Sequence, residues 1–300
     1  MQTQLFPIFS SAVSNMKNNK FFSGILIAVA AISGVAAQAS TASAQIASSS
    51  TVWNSAQPTI FSGASQGFDH KPFQQFVQTE GVELKNSGQK KVDISNLFLK
   101  YDHNVKVSFI NEGAGYRNQL AFTSTAVRPS GTTKQGLLFK DIACSGTYDG
   151  GKCQGDWGGN TLKFGDTVST GMIKGGSQLD FFLRADGMRR GTSAYTFGTQ
   201  NAQNEDGLQH VVAYTYGSRY LLMGFEDLYG LRDGKAEGKF NENSDRDFND
   251  TIFVVDIGEA NVACLNAGDA CTKAPEPAAA AGLVGLGLTA AVVGYRRRRG

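Results

Sequence analysis

The seven residues Thr251-Ile252-Phe253-Val254-Val255-Asp256-Ile257 constrain this chain more than any other stretch. They are β-branched or aromatic almost throughout. Such a run has no polar face to give to water, so it reads as a central strand buried on both faces. Yet it is approached through acids. From 226 to 256 there are nine carboxylates (226, 227, 233, 237, 242, 245, 247, 250 and 256) and four bases (232, 235, 239 and 246). Carboxylates this crowded repel one another, and a fold that holds them needs solvent, arginines or a cation.

Two readings follow. In the plainer one the acids cap turns on a solvated face and pair with Arg232, Arg246 or Lys239. In the sharper one they bind metal. Asp245, Asp247 and Asn249 occupy every second position, so an extended segment would point their oxygens to one side and leave Phe248 to anchor the loop. Glu226 and Asp227 end the preceding segment, and Asp250 adjoins the strand. The oxygen-only set Glu226, Asp227, Asp245, Asp247, Asn249 and Asp250 suits a hard cation, and Ca²⁺ is the expected cofactor. The D-x-D-x-N spacing also opens the EF-hand loop, with Asp256 at its twelfth place. That reading fails, because Asp250 stands where the loop needs glycine and a strand follows instead of a helix.

The rest of the central chain has an all-β texture. Val105, Val107 and Phe109 alternate with Lys106 and Ser108, and Leu179, Phe181 and Leu183 alternate with Asp180 and Arg184. Segments 208–216 and 219–225 flank Gly217-Ser218, the mark of a two-residue hairpin. No segment between the termini has a helical period. Short strands between glycine-rich turns predict a two-sheet β-sandwich or jelly roll over residues 45–257, with a loose serine-rich start at 45–57. Residues 258–274 read as a stapled tail.

Both ends carry targeting patterns. Lys17 and Lys20 precede an apolar run from Phe21 to Ala37, then Ala37-Gln38-Ala39 and Ala42-Ser43-Ala44. This is the pattern of a secretory signal peptide over residues 1–44, with Met16 opening a shorter version and a retained N-terminal anchor as the rival. At the other end residues 278–295 are uncharged, and eighteen residues of helix rise about 27 Å, enough to span a hydrocarbon core. Arg296, Arg297, Arg298 and Arg299 would hold that end on the cytoplasmic side. A buried Ala/Gly-rich helix is the alternative.

Setting aside Lys17, Lys20, the four arginines and Glu276 leaves 22 bases and 25 acids of the original 28 and 26. The central part is therefore acidic, with no basic patch, and nucleic acid is not expected as a partner. In an oxidising compartment Cys144, Cys153, Cys264 and Cys271 read as disulfides. Three pairings are open, and the local pairs Cys144/Cys153 and Cys264/Cys271 are favoured because each would staple a glycine-rich loop. Zinc is the weaker reading, since neither spacing is C-x₂-C and no histidine lies near.

Pro275-Glu276-Pro277, the apolar span and the arginine cluster together resemble the PEP-CTERM sorting signal of Gram-negative bacteria. The resemblance covers residues 275–300. It implies an exosortase as processing partner, a transient membrane stage through residues 278–295, and delivery to the cell surface or extracellular matrix. A second resemblance lies in the acid-rich region. Phe225, Glu226 and Asp227, then Asp245, Asp247, Phe248, Asn249 and Asp250 entering a buried strand, resemble the secreted bacterial domains called domain of unknown function 4114, over roughly residues 205–257. This implies a β-rich, calcium-associated extracellular module and no reaction.

No catalytic group emerges. Gly63-Ala64-Ser65-Gln66-Gly67 matches a nucleophile elbow but lacks the strand before it and the helix after it. His70, His103 and His210 are scattered, with His210 expected as a packed or rim residue. Glu226 or Asp227 opposite Asp245 or Asp247 would need glycosidase separation and a sugar cleft, and no such cleft is visible as a motif. Tyr214, Tyr216, Tyr220 and Tyr229 with Trp157 are either cross-strand packing or a stacking surface for exopolysaccharide. The expected function is a structural or adhesive calcium-binding domain, with carbohydrate binding second and hydrolysis third.

Overall fold

The computed structural model describes residues 50–77, 79, 81–84, 90–113, 115–126, 133–144, 161–232 and 241–268. The signal peptide, the sorting segment, Trp157, Cys153 and Cys271 lie outside the described residues. Among those described, no helix is long and apolar enough to cross a membrane.

The structure is mostly β, with two sheets and few helices. One sheet joins β2 (His103–Glu112), β6 (Thr167–Ile173), β9 (Val211–Tyr216), β10 (Tyr220–Phe225) and β11 (Thr251–Asp256) in the order β6-β2-β11-β10-β9. The other joins β1 (Phe98–Leu99), β3 (Asn118–Ala126), β4 (Thr133–Cys144), β5 (Thr161–Leu162) and β7 (Ser177–Arg184) in the order β1-β7-β3-β4-β5, with β8 (Thr196–Gly198) also on β7. Described neighbours are antiparallel except β4 and β5. As its composition requires, β11 is the middle strand, and all six of its residues are buried.

Alternation sends one side of each sheet into a shared core. Val107, Phe109, Met223, Phe225, Phe253 and Val255 from one sheet meet Leu120, Phe122, Phe139, Leu179, Phe181 and Leu183 from the other. The rings of Phe139 and Phe253 stack across the gap at 5.4 Å. The outer faces are covered too. Phe68, Phe73, Phe76 and Leu84 lie over Val212, Leu222, Ile252 and Val254. Val52 and Trp53 lie over Ala121, Leu137 and Phe182.

That cover corrects one expectation and buries two polar residues of β7. Residues 50–53 are not loose: they form a helical turn, α1 (Ser50–Trp53), and Trp53 is 1 % exposed. Asp180 and Arg184 do not face water, since Asp180 accepts hydrogen bonds from Thr199 and Gln200 and Arg184 lies over the Trp53 ring. A polar residue on a strand marks a solvated face only when nothing else in the chain covers it.

Two local assignments also change. The β9–β10 turn has three residues, because Tyr216 pairs with Tyr220. Gly217 takes φ +59, and the Arg219 side chain reaches Asp256 while its carbonyl accepts the Ile257 N–H. Beyond the short α2 (Gly187–Arg190), residues 259–267 of the expected stapled tail form a helix, α3 (Glu259–Ala267), where no helical period was expected. Its buried residues are Asn261, Val262, Cys264 and Leu265, too few of them apolar to show a period. Tertiary bonds hold it instead. Asn261 donates to the Tyr101 carbonyl and accepts from its N–H, and Lys90 donates to the Leu265 and Asn266 carbonyls at the helix C-terminus. Cys264 in this helix is disulfide-bonded.

Candidate metal centre

Strand pairing alone assembles half of the site. Phe225, the last residue of β10, lies opposite Thr251, the first of β11. The residues just beyond, Glu226 and Asp227 on one side and Asp250 on the other, are therefore forced together. The Asp227 N–H donates to Asp250 Oδ2 at 2.8 Å, and the Gly113 N–H holds the Asp250 carbonyl at 2.9 Å. One carboxylate oxygen from each of Glu226, Asp227 and Asp250 lies within 4.8 Å of the others. Glu226, Asp245 and Asp247 form a second such triad.

The second triad is not built on an extended segment. Arg246 and Phe248 have φ of +62 and +58, so the loop coils through left-handed steps at alternate residues. Such steps are unfavourable for side chains with a Cβ and persist only where the surroundings fix them. Here three things do. Phe248 is sunk among Leu84, Leu222 and Ile252. The Asn249 N–H closes back on Asp247 Oδ1 at 2.9 Å. And Gly224 lets the loop lie against β10, since a Cβ there would sit 2.2 Å from the Phe248 carbonyl oxygen. Asp245 and Asp247 bring carboxylate oxygens together and Phe248 is buried, but the extended segment expected to align Asp245, Asp247 and Asn249 is a coil, and Asn249 Nδ2 turns to the Thr79 and Val82 carbonyls.

Distant residues support both triads, and none of them carried a sequence signal. Gly81 N–H donates to Asp247 Oδ2 at 2.8 Å, and Leu84 N–H donates to the Asp247 carbonyl at 2.7 Å. Asn249 Nδ2 donates to the carbonyls of Thr79 and Val82. Asn118 Nδ2 donates to Asp227 Oδ2 at 2.7 Å while its Oδ1 accepts from the Asp186 N–H. Backbone donors have no residue signature, so only the contact itself reveals them.

The electrostatics are unbalanced. Glu226, Asp227, Asp247, Asn249 and Asp250 are each 2 % exposed or less, and only Asp245 is half-buried. Burial, then Asp245 and Glu226 nearby, pushes Asp247 up to about 6. Burial and the charges of Asp227 and Glu226 push Asp250 well above the ordinary carboxylate value. Burial pushes Glu226 up as well, against the opposing pull of the Leu228 N–H and the Ser244 hydroxyl. Arg246 is the base that leans on the cluster, yet its Nη2 donates to the Gln209 carbonyl and its Nη1 is buried without a hydrogen-bond acceptor. Among the described residues, no lysine or arginine nitrogen lies within 4.0 Å of the carboxylates of Glu226, Asp245, Asp247 or Asp250. Two acceptors, Glu226 Oε2 and Asn249 Oδ1, are buried with no hydrogen-bond donor. Such atoms want a partner. An all-oxygen set of this charge fits Ca²⁺ or Mg²⁺ far better than a soft metal.

The remaining candidates resolve into packing. Tyr216 and Tyr220 lie against Phe73 at 4.5 and 5.7 Å, and Tyr214 joins the same outer cluster. Tyr229 packs on Tyr195 at 4.8 Å. His210 is fully buried, stacked on Phe197 and bonded to Asp206 and to the Glu226 carbonyl. His103 contacts Asp256, and His70 lies beside Phe164. Ser65 sits in an exposed 3₁₀ turn, where its hydroxyl donates to the Ser62 carbonyl.

Residues 173–258 match the family described as Domain of unknown function (DUF4114). The match begins well before the expected 205 and takes in β7 to β11, with all six candidate ligands. No curated protein matches the chain, and no solved structure does.

Proposed function

We propose that this chain is an exported, calcium-binding β-sandwich with a structural or adhesive role. The single observation that carries the reading is Glu226 Oε2, a buried oxygen without a donor at the junction of two carboxylate triads. A bound cation supplies the partner that oxygen lacks, offsets the repulsion and ties the β10–β11 loop to Thr79, Gly81, Val82 and Leu84. The near-complete burial of Glu226, Asp227 and Asp250 leaves no room for a sugar ring against them, which favours a structural site over a glycosidase pair. Packing of the tyrosines against phenylalanines favours the same reading over a carbohydrate platform.

The sorting pattern supplies the address. In this reading an exosortase processes the chain at Pro275-Glu276-Pro277 after a membrane-held stage, and the domain is delivered to the surface or matrix of a Gram-negative-type bacterium. Thermal melts of the full chain in detergent, in Ca²⁺ and then in EDTA, test the metal. The midpoint rises with Ca²⁺ and falls with EDTA, and coincident curves refute it. Mass spectrometry of the mature C-terminus tests the address, with an intact residue 300 on surface-released protein as the refuting result.

A further inference from the structure

We propose that the centre holds two divalent cations bridged by the Glu226 carboxylate, an inner one with Asp227 and Asp250 and an outer one with Asp245 and Asp247. The inference rests on the cation reading above and extends it to number and order. The five carboxylates do not close into one shell. They fall into two triads that share Glu226 and nothing else. No grouping within 4.8 Å mixes Asp227 or Asp250 with Asp245 or Asp247, so the two pairs call for separate ions.

Glu226 is built to bridge. Its Oε1 accepts the Leu228 N–H at 3.2 Å, its Oε2 has no donor, and the residue is fully buried. A carboxylate with one oxygen toward each ion holds two cations about 4 Å apart, the spacing of known paired-metal sites. Asp247 is oriented from both sides by the Gly81 and Asn249 N–H groups. Asn249 Oδ1, buried and without a donor, adds a neutral ligand of the kind Ca²⁺ accepts.

The triads differ in access. Glu226, Asp227 and Asp250 are all buried, whereas Asp245 is half-buried. The outer ion therefore completes its shell with water and exchanges with solvent, and the inner one is locked in by the β10–β11 pairing.

Equilibrium dialysis of the full chain against ⁴⁵Ca²⁺ counts the ions directly. Two per chain is expected, in two phases, with the more weakly held ion lost first on dilution. Asp245→Asn keeps one, with its affinity changed less than about tenfold, and Glu226→Gln loses at least about 100-fold in affinity for both. A count of one in the unmodified chain overturns the pairing and leaves the calcium reading standing; a count of zero sinks both. Asp245→Asn is partly exposed and leaves the sheets intact by circular dichroism. If it removes both ions or neither, the bridged arrangement is wrong even should Glu226→Gln fail to fold.

Discussion

The two ends of β11 each present a buried acid, and among the described residues only one of the two acids is met by a base. At the exit, Asp256 Oδ2 accepts from Arg219 Nε and Nη2 at 3.0 and 2.8 Å, while Oδ1 meets His103 Nε2 at 3.0 Å and the Gly258 N–H at 3.1 Å. At the start, Asp250 meets the Asp227 N–H and then further carboxylates. Burial of an acid is thus no sign of metal in itself. Among the described residues, what separates the ends is whether a base sits on the acid, as one also does for Asp141 with Arg117 and for Glu242 with Arg190. Where none does, an outside cation is the remaining way to hold the charge without protonation.

The largest expected effect is on the start of the strand alone. A ligand at a hundred times its Kd adds about 2.7 kcal/mol, so two ions add about 5 kcal/mol. For a domain of this size that is on the order of 10–20 °C between Ca²⁺ and EDTA melts. A shift of about a degree or less would put the two ends on the same footing and break the contrast.

Gly224→Ala comes next. Its Cβ would sit 2.2 Å from a backbone oxygen and 2.5 Å from Leu84 Cδ2, and a backbone carbonyl cannot step aside as a side-chain tip can. The Phe248 loop lifts, at a cost of roughly 3 kcal/mol, and Asp247 moves with it. Denaturant melts should show the loss, and calcium titration should show weaker binding in the same variant. Lost stability with unchanged calcium affinity would detach the loop's placement from the site.

What was legible in the sequence is what has a local period or a local charge. The β-branched and aromatic run from Thr251 to Ile257 marked the central strand, and the acids beside it marked the site. The left-handed steps at Arg246 and Phe248 were not legible, because neither residue favours that conformation and it is Phe248's burial, the glycine at 224 and the Asn249 N–H on Asp247 that enforce it. Nor were the partners at Gly81, Val82 and Asn118, which lie more than a hundred positions away along the chain. The family match has the same blind spot. It ends at 258 and begins at 173, while β11 pairs with β2 and β7 pairs with β3, both outside it. The matched segment holds the ligands and β7 to β11, but not the remaining strands that complete both sheets.

Acid should move the stability of the metal-free and calcium-loaded forms in opposite directions. Without metal, Asp247 titrates at about 6 against an ordinary 3.8, and Asp250 and Glu226 are also raised. Between those values the folded chain carries more protons than the unfolded one, so stability falls as pH rises. Lowering pH from 7 towards 5 should therefore stabilise the metal-free protein, by on the order of 2 kcal/mol. Asp206, depressed to about 2, withdraws its contribution mainly below its ordinary 3.8 and leaves this window largely undisturbed. With Ca²⁺ the carboxylates must stay deprotonated to bind, and acid should destabilise. Denaturant melts across pH in EDTA and in Ca²⁺ check the sign, and parallel slopes would remove the distinction between the two states.

The smallest effect belongs to the exit of the strand. Arg219→Ala removes one base from Asp256 but leaves His103 and the Gly258 N–H in place, and the Arg219 side chain is 44 % exposed, so solvent screens much of the pair. A loss of about 1 kcal/mol is expected. The difference between Ca²⁺ and EDTA melts should survive unchanged, because the length of β11 separates Asp256 from the carboxylate triads and its bonds to Arg219, His103 and Gly258 do not reach them. If Arg219→Ala instead abolishes the calcium-dependent shift, the exit of the strand helps to hold the metal end, and the two ends are one coupled network.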